Sequence, residues 1–194
     1  MQNKLSTKDR LLDSAYIEIY TYGFQGCNVD RILTHAKVPK GSMYHHYKSK
    51  KELALAVIKE RITPKMLTFF SFEAIEDENE IDTIKNKLKQ LSTIDYLLKY
   101  GCPLNKLVRE MFSLDESFKI ELKKTYSQII KNIENLLNIA IKNKNIKNCD
   151  TKSLSLFIYT TTIGNISIGE DNITKDSYLA SLQHLFNYLD SIKN

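Results

Sequence analysis

The densest chemistry in this 194-residue chain lies between His35 and Lys51, where five lysines and three histidines occur without one carboxylate. Ammonium and imidazole groups at that density suit a polyanion, with Ser42, Tyr44 and the histidines between the lysines as hydrogen-bond donors. The excess charge is local. Residues 1–61 hold 11 Lys+Arg against 6 Asp+Glu, whereas residues 62–194 hold 17 of each, so the whole formal net charge of +5 lies in the first third. A solvated basic face with no partner would show the same charge, so spacing must decide. Six acids follow within residues 73–82, which read as a solvated connection between helices.

A second candidate group is the thiol of Cys102, directly before Pro103. A thiol at a helix N-terminus ionises more readily and is more nucleophilic. A free cysteine at a tight helix junction is equally a small buried hydrophobe, and both readings stand. Cys27 and Cys149 are read as incidental. Three widely spaced cysteines make no disulfide framework, so a reducing cytoplasm is expected. The four histidines and three cysteines lack zinc-ligand spacing, and adjacent His45 and His46 point to different sides of a helix, so no metal is expected. No Gly-rich phosphate loop or nucleophile elbow occurs, so the chain reads as a non-enzyme that needs no cofactor. The longest apolar run is Leu53 to Ile58, far below the roughly 20 residues of a membrane span, and Met1 to Arg10 lacks a secretory signal's apolar stretch.

These groups need elements to position them, and the apolar spacing is helical almost throughout. Ser6 caps a helix carrying Leu11, Leu12, Ala15 and Ile19, which should stop at Gly23. Asn28 caps a second, with Val29, Ile32, Leu33 and Ala36, which breaks near Lys37-Val38. Pro39 opens a third, Lys40 to Tyr47. Ser49 caps a fourth, which Pro64 should kink or divide. Helices two and three, short and joined by about three residues, make a helix-turn-helix whose second helix enters the major groove. Val38, Met43 and Tyr47 form its inward stripe. Lys40, Gly41, Ser42, Tyr44, His45 and His46 form the outward arc, and Lys48, Lys50 and Lys51 extend it toward phosphates.

The segment Val38-Pro39-Lys40-Gly41-Ser42-Met43-Tyr44-His45-His46-Tyr47-Lys48-Ser49-Lys50-Lys51-Glu52-Leu53 resembles the recognition helix of TetR/AcrR-type regulators. Gly23-Phe24 and Val29-Asp30-Arg31-Ile32 resemble that family's end of helix one and start of helix two. The resemblance spans residues 6–60. It implies an all-α homodimer with a three-helix DNA-binding head and a larger ligand-sensing body. It also places DNA contacts on Lys40, Ser42, Tyr44, His46 and Lys50. The chain departs from the family where the turn has Lys37 in place of Gly, which in a left-handed conformation costs about 1 kcal/mol. Gly101-Cys102-Pro103-Leu104-Asn105-Lys106-Leu107, followed by Glu110, is similar to the branch containing the repressor of N-ethylmaleimide reductase. Some members of that branch sense electrophiles or oxidants through a cysteine.

Five further helices are expected: about 80–100, a short one after Pro103, about 115–144, about 150–169 and about 175–192. That makes an all-α fold of about nine helices, with a head over 1–50 and a ligand-sensing, dimerising body over 51–194. Effector contacts are expected at Cys102, Tyr96, Tyr100, Phe112, Tyr126 and Tyr159. A four-helix dimer interface is expected from Phe157, Ile158 and Thr161 of one helix with Tyr178, Leu182, Leu185, Phe186 and Leu189 of the other, though such stripes also pack a protomer's own core. The expected function is a cytoplasmic repressor on palindromic double-stranded DNA, released by a small molecule or by modification of a cysteine. A transcriptional activator of the same fold and a helical protein-interaction scaffold with a basic head are the alternatives.

Overall fold

The computed structural model of the chain describes residues 5–72, 78–167 and 174–194. Those residues are helical apart from their connections and one isolated antiparallel bridge, Ile146 with Lys193. The helices are α1 (Thr7–Gly26), α2 (Val29–Ala36), α3 (Lys40–His46), α4 (Lys50–Val57), α5 (Thr63–Phe69), α6 (Glu80–Gln90), α7 (Asp95–Tyr100), α8 (Pro103–Met111), α9 (Glu116–Lys142), α10 (Thr151–Ser167) and α11 (Lys175–Ser191). A π-helical turn, Ile58–Ile62, joins α4 to α5, and a 3-10 turn, Leu91–Thr93, lies between α6 and α7. With α4–α5 and α6–α7 each counted as one interrupted helix, the described residues form nine helices.

The helix starts follow local chemistry. Ser6, Asn28 and Ser49 accept from the amides of Asp9, of Asp30 and Arg31, and of Glu52, occupying N–H groups that an α-helix leaves unpaired. Three ends differ from the sequence reading. Gly23 does adopt a positive φ of 73°, but α1 resumes beyond it and runs to Gly26. Pro64 does not divide its helix. It has no N–H to give the carbonyl four residues back, and the ladder widens just upstream, where Thr63 N–H bonds Ile58 O. The single helix expected over 80–100 breaks at Ile94, whose φ of −104° and ψ of 87° are non-helical.

The chain divides into two compact units. The first joins Met1–Met66 to Pro103–Thr125. The reason is packing. Leu53, Ala54, Val57 and Ile58 are buried like Leu11, Leu12, Ala15 and Ile19 of α1, and Leu107, Met111, Phe118 and Leu122 join the buried set from far along the chain. Each fully buried Leu or Ile is worth roughly 1.5–3 kcal/mol relative to exposure.

The second unit is Leu67–Cys102 with Tyr126–Asn194. Its core takes Ile81, Ile84 and Leu88 from α6, Ile129, Ile133, Leu136 and Leu137 from α9, and Leu154, Ile158 and Ile166 from α10. The Tyr178 hydroxyl, buried on α11, donates to Leu88 O at 3.1 Å. The acidic run is not wholly a solvated connection. Residues 73–77 lie outside the described residues, as does Gly169, the expected end of α10. Glu80, however, is buried and accepts from the side-chain amides of Asn143 (2.6 Å) and Asn145 (2.8 Å), and Asp82 pairs with Lys193 at 2.7 Å.

Two buried side-chain atoms in the first unit lack a hydrogen-bond partner among the described residues, Arg10 Nε and the hydroxyl of Tyr47. Burial pushes the Tyr47 phenol up to about 12. Below pH 10 the folded and unfolded chains both keep this proton. Between pH 10 and 12 the unfolded chain loses it first, so stability falls as pH rises. Tyr47→Phe is expected to stabilise the fold by on the order of 1 kcal/mol through relieved desolvation, read as a higher thermal unfolding midpoint. It should also flatten the stability loss over pH 10–12 in a thermal-melt pH series.

Candidate nucleic-acid interface

Helix α3 has seven residues, too short to persist alone, so its position comes from burial. Met43 is fully buried, and Val38 and Tyr47 nearly so. The chain enters α3 through Lys37, which sits in the left-handed region (φ 53°, ψ 49°). There its N–H returns to Thr34 O at 3.2 Å and the Val38 N–H to Leu33 O at 3.1 Å, closing the end of α2 as glycine ordinarily does. Arg10 of α1 donates to the carbonyls of Ala36 (3.1 Å) and Lys37 (3.3 Å), a cation on the negative end of α2.

The other end of α2 is held by Glu18, a buried acid on the apolar face of α1. It accepts from Asn28 N–H at 3.0 Å and Arg31 Nε at 2.7 Å. Ser14 Oγ donates to Ile32 O at 2.9 Å in the same buried seam. The sequence reading passed over Glu18, Arg10 and Ser14. An acid on a stripe otherwise made of Leu, Ala and Ile was the available signal for Glu18.

With α2 and the inward stripe of α3 fixed, the opposite arc of α3 is open. Lys40, Gly41, Tyr44 (49% exposed), His45 and His46 are exposed and Ser42 is half-buried. Pro39 offers α3 no side-chain cap. Lys40 makes only a loose 3.9 Å approach to Asp30, with both side chains mostly in solvent. The three following lysines differ among themselves. Lys48 is exposed. Lys50 donates to Gln25 O at 3.3 Å and lies over the Phe24 ring at 4.8 Å. Lys51 is drawn onto Asp115 at 2.6 Å, and with the amides of Phe118 and Ser117 it holds that carboxyl below its usual range. The first unit carries 17 Lys+Arg and 10 Asp+Glu, a net of +7, and the second 11 and 13, a net of −2. The separation of charge is therefore sharper in space than along the sequence.

The expected effector residues are not all brought together. Phe112 belongs to the first unit. In the second, Cys102 (2% exposed) and Tyr159 are buried. Cys102 and Tyr126 act electrostatically on the Tyr159 hydroxyl, and burial chiefly pushes that phenol up. Tyr96 is exposed, with its ring 4.4 Å from that of half-buried Tyr100. Burial, with Lys50 opposing it, leaves the Cys27 thiol raised to about 11.

The expected interface stripe is mostly turned inward. Ile158, Tyr178, Leu182, Leu185, Phe186 and Leu189 are buried inside the second unit and Thr161 is half-buried, so only Phe157 of that set is exposed. Both helices carry apolar residues on more than one face, and spacing could not choose between them. Exposed residues include Leu156, Phe157, Thr160 and Gly164 on α10 and Ala180, His184 and Tyr188 on α11, with the Phe157 and Tyr188 rings 5.8 Å apart.

A short basic helix, exposed on one arc and set by a tight turn behind a second helix bedded on a third, defines a helix-turn-helix DNA-binding regulator. The family model described as "Bacterial regulatory proteins, tetR family" matches residues 11–57. The chain is 33% identical over 138 residues to the "HTH-type transcriptional regulator in lacX 3'region" of Lactococcus lactis subsp. lactis, covering 69% of this chain and 70% of that one. Two solved structures share the fold. One is a TetR transcriptional regulator from Chloroflexus aurantiacus J-10-FL (TM-score 0.85, 21% identity, 96% of each chain). The other is Escherichia coli NemR in its reduced form (TM-score 0.81, 20% identity, 94% of this chain and 97% of that one). The chain belongs to the tetR family, whose members bind DNA and regulate transcription. Among the described residues no helix is long and apolar enough to cross a membrane.

The unequal lysines generate a prediction for double-stranded DNA binding followed by anisotropy over a salt series. Each phosphate contact contributes about 0.9 to the slope of log affinity against log salt. Lys48→Ala is expected to lower the slope by about one such step. Lys51→Ala should leave it nearly unchanged, because Asp115 already neutralises that ammonium.

Proposed function

We propose that the chain is a repressor that acts in the cytoplasm as a homodimer on a palindromic operator and is released by an effector bound to its second unit. The observation that carries this reading is the exposed, acid-free arc of α3 over a fully buried Met43. Lys40, Ser42, Tyr44 and His46 read or grip the major groove, and Lys48 and Lys50 set the register on phosphates. One head reads too few base pairs for a unique site, and two heads at a helical-turn spacing read a palindrome. The face carrying Phe157 (47% exposed) and Tyr188 (46% exposed) supplies the apolar surface for pairing. A side chain at Gly164 would meet open space beyond its own helix backbone, which leaves room for a partner helix.

The effector reading favours a non-covalent small molecule. Burial of the Cys102 thiol keeps a bulky electrophile away from it in the folded chain. Cys102, Tyr100, Tyr126 and Tyr159 are the second unit's candidate contacts. Coupling of this kind is reciprocal, so effector and DNA weaken each other's binding.

Anisotropy on the DNA upstream of the chain's own gene, before and after treatment with N-ethylmaleimide, tests the reading. Nanomolar, salt-sensitive binding that survives alkylation supports a repressor with a pocket ligand. Loss of binding that Cys102→Ser prevents would move the sensor to the thiol. Absence of salt-sensitive DNA binding would refute the DNA-binding assignment. Deletion of the gene should raise expression from that promoter, and a fall would make the protein an activator. Phe157→Glu, at a position outside the protomer core, should convert a dimer to a monomer in light scattering and weaken operator binding at least tenfold.

A further inference from the structure

The break in α1 is closed by side chains more than eighty residues away. Gly23 stands at φ 73°, ψ 179° in mid-helix. Such a break strips the preceding carbonyls and following amides of their in-helix partners. Two residues one turn apart on α8 meet both open ends. The Lys106 ammonium donates to Tyr20 O at 2.9 Å and Thr21 O at 3.2 Å. The Glu110 carboxylate accepts from Phe24 N–H at 2.7 Å and Gln25 N–H at 2.6 Å. The cation thus sits on a carbonyl end and the anion on an amide end, the favourable arrangement at each. The fit leaves no room for a side chain at the break, since a Cβ on Gly23 would lie 2.7 Å from Glu110 Oε2.

What this clamp holds leads to the DNA-facing surface. The turn Phe24–Gly26 is the point to which two head residues anchor: Lys50 donates to Gln25 O at 3.3 Å and Arg31 to Gly26 O at 3.1 Å. The end of α8 and the first turn of α9 add to the hold, with Gln25 Nε2 3.5 Å from Met111 Sδ and the Phe24 and Phe118 rings 4.9 Å apart.

We propose that Lys106 and Glu110 are positioning residues for DNA binding, which fix the last turn of α1 and, through it, Lys50 and the N-terminal end of α2. This rests on the chain being a DNA-binding regulator. Neither side chain need touch DNA. Their effect is carried by the backbone of Phe24 and Gln25.

The test uses the full chain on the same DNA fragment, with Glu110→Ala, Glu110→Gln and Lys106→Met, each alone and with Lys50→Ala. Glu110→Ala is expected to weaken DNA binding about tenfold and make its salt dependence shallower. The Phe24 and Gln25 amides should lose protection in hydrogen exchange while the rest of α1 keeps it. Glu110→Gln keeps one acceptor oxygen and should recover part of the affinity, and it remains informative if the alanine variant fails to fold. In the Lys50→Ala background the Glu110 substitutions should lose most of their effect. General destabilisation would lower the active fraction without changing the salt slope or depending on Lys50. Wild-type affinity and slope in Glu110→Ala, or an effect fully additive with Lys50→Ala, would overturn the proposal. Failure of the wild-type chain to bind any DNA would instead overturn the DNA-binding reading beneath it.

Discussion

The DNA-facing side of this chain depends on one act of burial, the seating of Met43 between Val38 and Tyr47. A seven-residue helix forms too few internal hydrogen bonds to stand on its own. It exists because its inward stripe fills a recess whose floor is α1 and α2. That recess exists because Arg10, Ser14 and Glu18 attach α2 to α1 at both ends and in the middle. Remove the seam and the arc of Lys40, Tyr44 and His46 has nothing rigid behind it. The left-handed Lys37 belongs to the same economy, since a local strain of about 1 kcal/mol is offset by the burial that the turn makes possible.

The legible part of the fold is the part written in short-range chemistry. Caps at Ser6, Asn28 and Ser49 and Pro39 at the mouth of α3 act within four residues of themselves, and the spacing of Val38, Met43 and Tyr47 marks one face of a helix. They can be read from the chain in order. What could not be read acts at a distance. Nothing near Gly23 announces that its broken helix will resume, because the groups that permit it, Lys106 and Glu110, lie on another helix. Gly23 and Glu110 both fall in segments that resemble the family, yet their contact is invisible in one dimension. The same holds for α10 and α11. Their apolar residues surround the helix, so periodicity gives no direction, and the buried and exposed faces separate only when neighbours are placed.

Charge was legible in amount and not in assignment. The lysine cluster is evident, but whether a given ammonium is offered to solvent or already spent is a matter of partners. Lys51 meets Asp115 and Lys59 meets Glu121 (3.1 Å), both acids supplied by the start of α9 or the turn before it. The acids of residues 78–82 are similarly committed, Glu80 to two asparagines and Asp82 to Lys193. Composition counts charges, and only the fold says which of them a phosphate would meet.

The π-helical turn over Ile58–Ile62 has a consequence for how this chain tolerates length changes. Its ladder spans five residues where an α-helix spans four, so the segment carries one residue in excess of a regular path. Excising a single residue there would restore ordinary α-helical hydrogen bonds and improve local regularity. The same deletion in the neighbouring α4, which has no residue in excess, would instead turn α5 by about 100° and draw it back by about 1.5 Å. Every face that α5 presents would change neighbours. An insertion or deletion that looks harmless in an alignment, in mid-helix and conserving residue type, would therefore act as a change of phase rather than of composition.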